Sequence, residues 1–128
     1  MTETTKRLLV TGSRDWDDMV TLEQELTTAW INLGEGDDVI LVSGNCPTGA
    51  DRAAEEYWKR SHYGPVEKHP ADWVKHGKKA GYLRNAEMAK LGADLCVAFI
   101  KDGSRGTQMM INLAQKAGIP VIKAVMTS

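Results

Sequence analysis

The chain of 128 residues has the length of one domain with one core. Its 42% hydrophobic and 26% charged content exclude a disordered chain. A formal net charge of -1 excludes a general polyanion binder, which carries a strong basic excess.

The charge is uneven along the chain. Residues 1–38 hold nine acids and three bases, whereas residues 59–90 hold eight bases and three acids. The second stretch reads as a locally positive surface or as a solvated helix face. Cys46 and Cys96 stand far apart, one in a polar loop and one in an apolar run, so no disulfide framework is expected and a reducing cytoplasm is the natural setting. The first residues, "MTETTKRLLVTG", lack the apolar stretch of a signal peptide, and no run of ~18 apolar residues predicts a membrane span.

In chain order, "RLLVTG" (7–12) is a short apolar run closed by glycine, the pattern of a strand buried on both faces. "DMVTLEQELTTAWINLG" (18–34) spaces Met19, Leu22, Leu26, Trp30 and Leu33 by three and four, which predicts an amphipathic helix with a glycine stop. "DVILVSG" (38–44) repeats the strand pattern. "TGADRAAEEYWKRSHYG" (48–64) repeats the helix pattern, with Ala50, Ala53, Ala54, Tyr57 and Trp58 on its apolar side. "GPVEKHPADW" (64–73) holds one short extended segment, "VEKH", before Pro70 interrupts it. A helix over 78–92, a strand over 94–100, a helix over 106–118 and a strand over 119–125 complete the chain. Alternating strands and helices predict a three-layer α/β/α sandwich of about five mostly parallel strands, in a single domain spanning 1–128.

Three strands end in the same chemistry: "VTGSRDW", "VSGNCPTGAD" and "FIKDGSRGTQ". In a parallel sheet these turns share the carboxyl edge, where such proteins bind ligands. Glycine allows close backbone approach, and each following helix directs unpaired N–H groups and a positive dipole end into that space. Gly103, Ser104, Arg105, Gly106 and Thr107 are expected to surround a phosphate, with Gly12, Ser13 and Arg14 on the neighbouring side. No Gly-Lys-Ser/Thr and no GxGxxG after the first strand occurs, which argues against ATP hydrolysis and hydride transfer.

Arg14 and Arg84 have the forked guanidinium that clamps phosphate or carboxylate. Trp73 can stack on a base or cover a core edge. His62, His69 and His76 recur every seven residues, but Pro65 and Pro70 break any helix that would align them, so no metal site is expected. Cys46 has no partner base within its motif and is not expected to act as a nucleophile.

"VTGSRDW", "SGNCPTGADRAAEEYW", "ADWVKHGKKAGYLRNAEMA" and "ADLCVAFIKDGSRGTQMMINLAQKAGIPV", in this order, resemble the YspA-like branch of the SLOG superfamily over nearly the whole chain. That resemblance implies a Rossmann-like fold and a nucleotide or NAD/ADP-ribose-type ligand at the strand ends, with no required cofactor. It also implies a phage or bacterial source, hence a host cytoplasm if phage-encoded. Gly12, Ser13 and Arg14 match the first family loop; Gly44, Gly49, Ala50 and Asp51 the second; Gly103 to Thr107 the phosphate loop. Gly81, Arg84 and Asn85 match a Gly-x-x-Arg-Asn signature. The related LOG phosphoribohydrolases carry GGxGTxxE with a catalytic glutamate, and here that position is Met110.

Asp51 is the best replacement carboxylate for the ribose or a water. In the competing reading it caps its helix or pairs with Arg52 or Arg84. The leading expectation is a nucleotide-binding domain. The alternatives are a nucleotide N-glycosidic hydrolase using Asp51 and Arg84, and a DprA-like DNA-handling module using the basic stretch Lys59 to Lys90. Nucleic acid ranks below a small nucleotide because the basic stretch lacks interleaved aromatics. Homodimerisation is expected by analogy with LOG proteins and from Trp30 and Trp58, whose apolar bulk exceeds what one small core needs.

Overall fold

The computed structural model describes residues 5–126. Five strands form one parallel sheet: β1 (Arg7–Gly12), β2 (Ile40–Ser43), β3 (Val66–Lys68), β4 (Leu95–Lys101) and β5 (Val121–Met126), in the order β3-β2-β1-β4-β5. The four longer helices are α1 (Met19–Asn32), α2 (Gly49–Ser61), α4 (Ala80–Leu91) and α5 (Arg105–Lys116), and α3 (Trp73–His76) is a single turn. The expected three-layer α/β/α sandwich is therefore observed.

Alternation along β1 divides the core between the two faces. Leu8 and Val10 join Leu22, Leu26, Ala54 and Trp58 under α1 and α2. Leu9 joins Val42, Met88, Met110 and Ala114 under α4 and α5. The central strands are apolar on both sides because both sides are covered.

From β1 the chain runs outward through β2 and β3, then returns past β1 to build β4 and β5. The loops leaving β1 and β4 thus diverge in opposite directions and open a crevice at the carboxyl edge. Trp16 anchors the first loop: its buried ring lies 5.2 Å from that of Phe99, and its indole N–H donates to the Asp18 carbonyl at 2.9 Å.

Two expectations need correction. The segment 73–76 was not foreseen as helical; Asp72 caps it by accepting the Lys75 N–H at 3.0 Å, two residues after the proline break. Trp30 and Trp58 are both used within one chain. Trp58 is fully buried and donates to the Val39 carbonyl at 2.9 Å, while Trp30 stacks on Tyr63 at 4.1 Å and donates to the Gly36 carbonyl at 2.7 Å. The apolar bulk of both tryptophans is therefore accommodated within one chain, and it supplies no argument about homodimerisation. Among the described residues no helix is long and apolar enough to cross a membrane.

The junction of α2 with the first loop is the tightest in the fold. The Ala50 N–H donates to the Ser13 carbonyl at 3.2 Å, and a Cβ on Gly12 would lie 2.4 Å from that of Ala50. Gly49 adopts φ +71°, and a Cβ there would lie 2.3 Å from the Ser13 carbonyl oxygen. Gly49→Ala combines left-handed strain with a backbone clash and should cost about 2–4 kcal/mol in urea unfolding. Gly103→Ala has a similar φ of +69° but open space around it, and should cost only about 1 kcal/mol in the same measurement.

Candidate functional site

A cleft of about 610 Å³ occupies the carboxyl edge. Gly12 and Arg14 bound it from the first loop, Gly44 and Asp51 from the second, and Arg84 and Asn85 from α4. Ser104, Gly106 and Thr107 form its α5 wall, and Trp73 stands at its rim, half exposed. Ten of the fifteen residues expected to bind the ligand or stack on its base therefore surround one space.

The other five lie off that surface, each for a local reason. The Ser13 hydroxyl accepts the Lys101 N–H at 2.8 Å and donates to the Lys101 carbonyl at 3.3 Å, extending the β1–β4 pairing. Gly49 and Ala50 are taken up by the close approach to the first loop. Gly103 makes the left-handed turn before α5. Arg105 is the first residue of α5 and is exposed rather than turned into the cleft.

The α5 terminus differs from the expected phosphate cradle. Ser104 caps the helix by accepting the Thr107 N–H at 3.4 Å and the Thr107 hydroxyl at 3.0 Å. Thr107 is thus buried and spends its donors on the cap, which leaves the N–H groups of Arg105 and Gly106 at the helix start.

Arg84 is also occupied. Its Nη1 donates to the carbonyls of Gly44 and, at 3.4 Å, His69, and its Nε donates to Asn85 Oδ1 at 2.7 Å. His69 is itself held in place: Arg7 grips both oxygens of Glu67 at 2.8 Å, and Glu67 Oε2 meets His69 Nε2 at 2.7 Å. Arg7 holds the Glu67 carboxyl down at about 2. The three histidines lie on separate elements, and no group of three metal-ligating side chains occurs among the described residues.

Asp51 is the chemical centre of the cleft. It is the third residue of α2 and not its cap, which is Thr48, whose hydroxyl donates instead to the Arg14 carbonyl at 3.0 Å. Arg52 pairs with Glu56, and no ion pair joins Asp51 to Arg84 within 4 Å. Asp51 Oδ2 accepts the Cys46 N–H at 3.1 Å, whereas Oδ1 is buried with no partner. Gly44 makes this arrangement possible. A Cβ there would sit 2.7 Å from Arg84 Nη1 and 3.1 Å from Asp51 Oδ2, so any side chain would displace both charged groups.

Burial pushes the Asp51 carboxyl up to about 6, against the opposing pull of the Cys46 N–H and of Arg84. Burial lowers the Arg84 pKa, and the nearby Asp51 charge raises it. Met110, at the position of the LOG glutamate, is fully buried in the core and offers the cleft nothing. Sequence reasoning missed Thr11, Asn45 and Met88, which also line the cleft. Alternation along β1 puts Thr11 on the face of Leu9, and that was the available signal.

A second concavity, of about 960 Å³, lies between α2 and β3, with Arg52, Glu55, Lys59 and Lys68 among its walls. It is larger, but its charges are open to water and it lacks an unsatisfied buried group; among the described residues that feature belongs to Asp51 alone.

The folded protein keeps the Asp51 proton up to about pH 6, whereas the unfolded chain releases it near 3.8. Stability therefore falls as the pH rises between those values, by up to about 3 kcal/mol, and stays reduced above them. Asp51→Asn should be more stable than wild type at neutral pH. Urea unfolding across the range should show that advantage vanishing toward about pH 4.

Residues 6–76 match the YspA, cpYpsA-related SLOG family. The Gene 61 protein of Mycobacterium phage D29 is 44% identical over 121 residues, covering 91% of this chain and 94% of its own. Among solved structures, the C-terminal domain of a hydrogenase from Pyrococcus furiosus aligns over 97% of this chain and 96% of its own, with 15% identity and a TM-score of 0.48. With its five-stranded parallel sheet and a family match over more than half its length, the chain belongs to the YspA, cpYpsA-related SLOG family.

Proposed function

We propose that the carboxyl-edge cleft binds a nucleotide or a nucleotide-derived ligand of the NAD/ADP-ribose type. One observation carries this reading: Asp51, one of the residues lining the cleft, holds Oδ1 as a buried acceptor without a donor. Leaving such a group unsatisfied costs about 1–3 kcal/mol or more, and a ribose hydroxyl is a donor of the right kind to recover it. The ligand phosphates go to the start of α5, where the N–H groups of Arg105 and Gly106 meet the positive end of a twelve-residue helix. Arg14, exposed on the rim, supplies a guanidinium free to close over them, while Arg84 fixes the second loop. Trp73, with Pro70 and Ala71 beside it, offers a base-stacking surface. Family membership supports a nucleotide-related role.

A second reading rests on the Asp51 carboxyl at about 6, a value at which it can exchange a proton near neutrality. In that reading the ligand is hydrolysed at its N-glycosidic bond, with Asp51 activating water. Asp51→Asn then abolishes turnover and spares much of the binding. No turnover in the wild type, or equal loss of both, removes it.

The binding proposal is tested by thermal shift with AMP, ATP, NAD, ADP-ribose and single-stranded DNA. A ligand at about a hundred times its dissociation constant adds roughly 2.7 kcal/mol and should raise the midpoint by several degrees. Arg14→Ala should weaken phosphate-bearing ligands about tenfold, with the unliganded midpoint unchanged because the side chain is exposed. No shift with any nucleotide overturns the proposal. A shift with DNA alone, falling steeply with salt, transfers the function to the nucleic-acid alternative.

A further inference from the structure

The basic stretch of the sequence presents one exposed face in the fold. From Asp72 to Lys79 every residue is exposed, and neither α3 nor the short turn Gly77–Lys79 that follows it contributes a buried residue. Val74 is 101% exposed and projects fully into solvent; Trp73 and Tyr82 are half exposed, and Leu83 is 41% exposed. The segment is nevertheless fixed. Asp72 caps α3, and the Trp73 ring lies 3.5 Å from where a Cβ on Gly81 would stand. Trp73 and Tyr82 therefore flank the same end of α4.

Three cations are set among these apolar side chains. Lys75 follows Val74, and Lys78 and Lys79 precede Tyr82 and Leu83 by four residues, about one helical turn. None of the three makes an ion pair among the described residues, although Arg7, Arg52, Arg60 and Lys101 all do. Asp72, the acid nearest to them in sequence, accepts the Lys75 N–H at 3.0 Å and is spent on the cap. A face built only to meet water carries polar groups between its lysines; here aliphatic and aromatic side chains stand there, and such patches mark contact surfaces.

We propose that this face docks an acidic amphipathic segment of another protein. The apolar side of that segment covers Val74, Tyr82 and Leu83, and its carboxylates meet Lys75, Lys78 and Lys79. Charge complementarity sets the sign of the partner, because in a chain of net charge -1 this face is positive and has no counter-charge of its own on these lysines. Nucleic acid would gain from the lysines and from stacking on Trp73 and Tyr82, but not from Val74 and Leu83, and Arg84, the arginine of this region, is turned inward onto the Gly44 carbonyl. A bilayer takes apolar side chains gathered at one tip; here they run from α3 onto α4, the layout that holds an elongated segment. Of these residues Trp73 alone lines the cleft, so docking does not depend on the nucleotide reading.

The test selects a displayed library of random peptides of about sixteen residues, long enough for about four helical turns, on the whole protein, with counter-selection on the double variant Val74→Asp, Lys78→Glu. Both side chains are exposed, so the variant should keep the wild-type unfolding midpoint, which is checked first. Peptides that carry Asp or Glu beside Leu, Phe or Met at spacings of three and four are expected to enrich. A synthetic copy of the leading peptide should lose about tenfold in affinity for Val74→Ser and, separately, for Lys78→Glu, and should slow hydrogen exchange over 73–83 in the wild type. No enrichment over the double variant, or enrichment of basic or uncharged peptides, overturns the proposal. Binding of single-stranded DNA, or of vesicles of phosphatidylcholine and phosphatidylserine, that is lost in Lys78→Glu while no acidic peptide is selected also overturns it, and gives the face to nucleic acid or to a lipid surface.

Discussion

The Arg84 guanidinium ties three parts of the fold together at one point. From α4 it reaches the Gly44 carbonyl at the end of β2, the His69 carbonyl beyond β3 and the neighbouring Asn85 side chain. Guanidinium is suited to this because its donors point along fixed directions and its charge persists under partial burial. The site follows from that anchoring. With the second loop held down, Asp51 is drawn out of solvent, and with Gly44 bare, the carboxylate and guanidinium share a space that a methyl group would fill.

The cost of the arrangement falls on Asp51. A carboxyl at the start of a helix is ordinarily favoured by the dipole. Here burial outweighs that benefit and the attraction of Arg84, so the carboxyl holds its proton to about pH 6. A core designed for stability alone would carry an amide or an apolar group at this position. Under the binding proposal, a buried acid with an empty acceptor is a place where stability is exchanged for function.

Much of the fold was legible because it depends on local periodicity. The apolar runs of β1, β2 and β4 and the three-four spacing of α1, α2 and α5 fix element type without tertiary information. Convergence of the three glycine turns at one edge followed from parallel topology. What the sequence could not resolve was the work of each polar group. Ser13, Thr107 and Arg84 all read as ligand contacts, and all three spend hydrogen bonds on the protein itself. Nothing in a turn motif distinguishes a hydroxyl that faces a ligand from one that caps a helix, because both uses need the same residue at the same place. The unforeseen turn of α3 had a visible signal in Asp72, obscured by the nearby Pro70.

Met110 and Asp51 lie on opposite sides of the same question. In the LOG pattern a carboxylate projects from the helix after β4; here that helix buries a thioether against Leu9 and Cys96. The cleft nevertheless keeps one carboxylate, now supplied from the helix after β2, on the other side of the switch point between β1 and β4. A ligand whose phosphates rest at the start of α5 and whose hydroxyl meets Asp51 must therefore lie across the ends of β1 and β4. The crossing direction is set by the topology, since only the central strand positions place two helix starts on facing sides of one crevice.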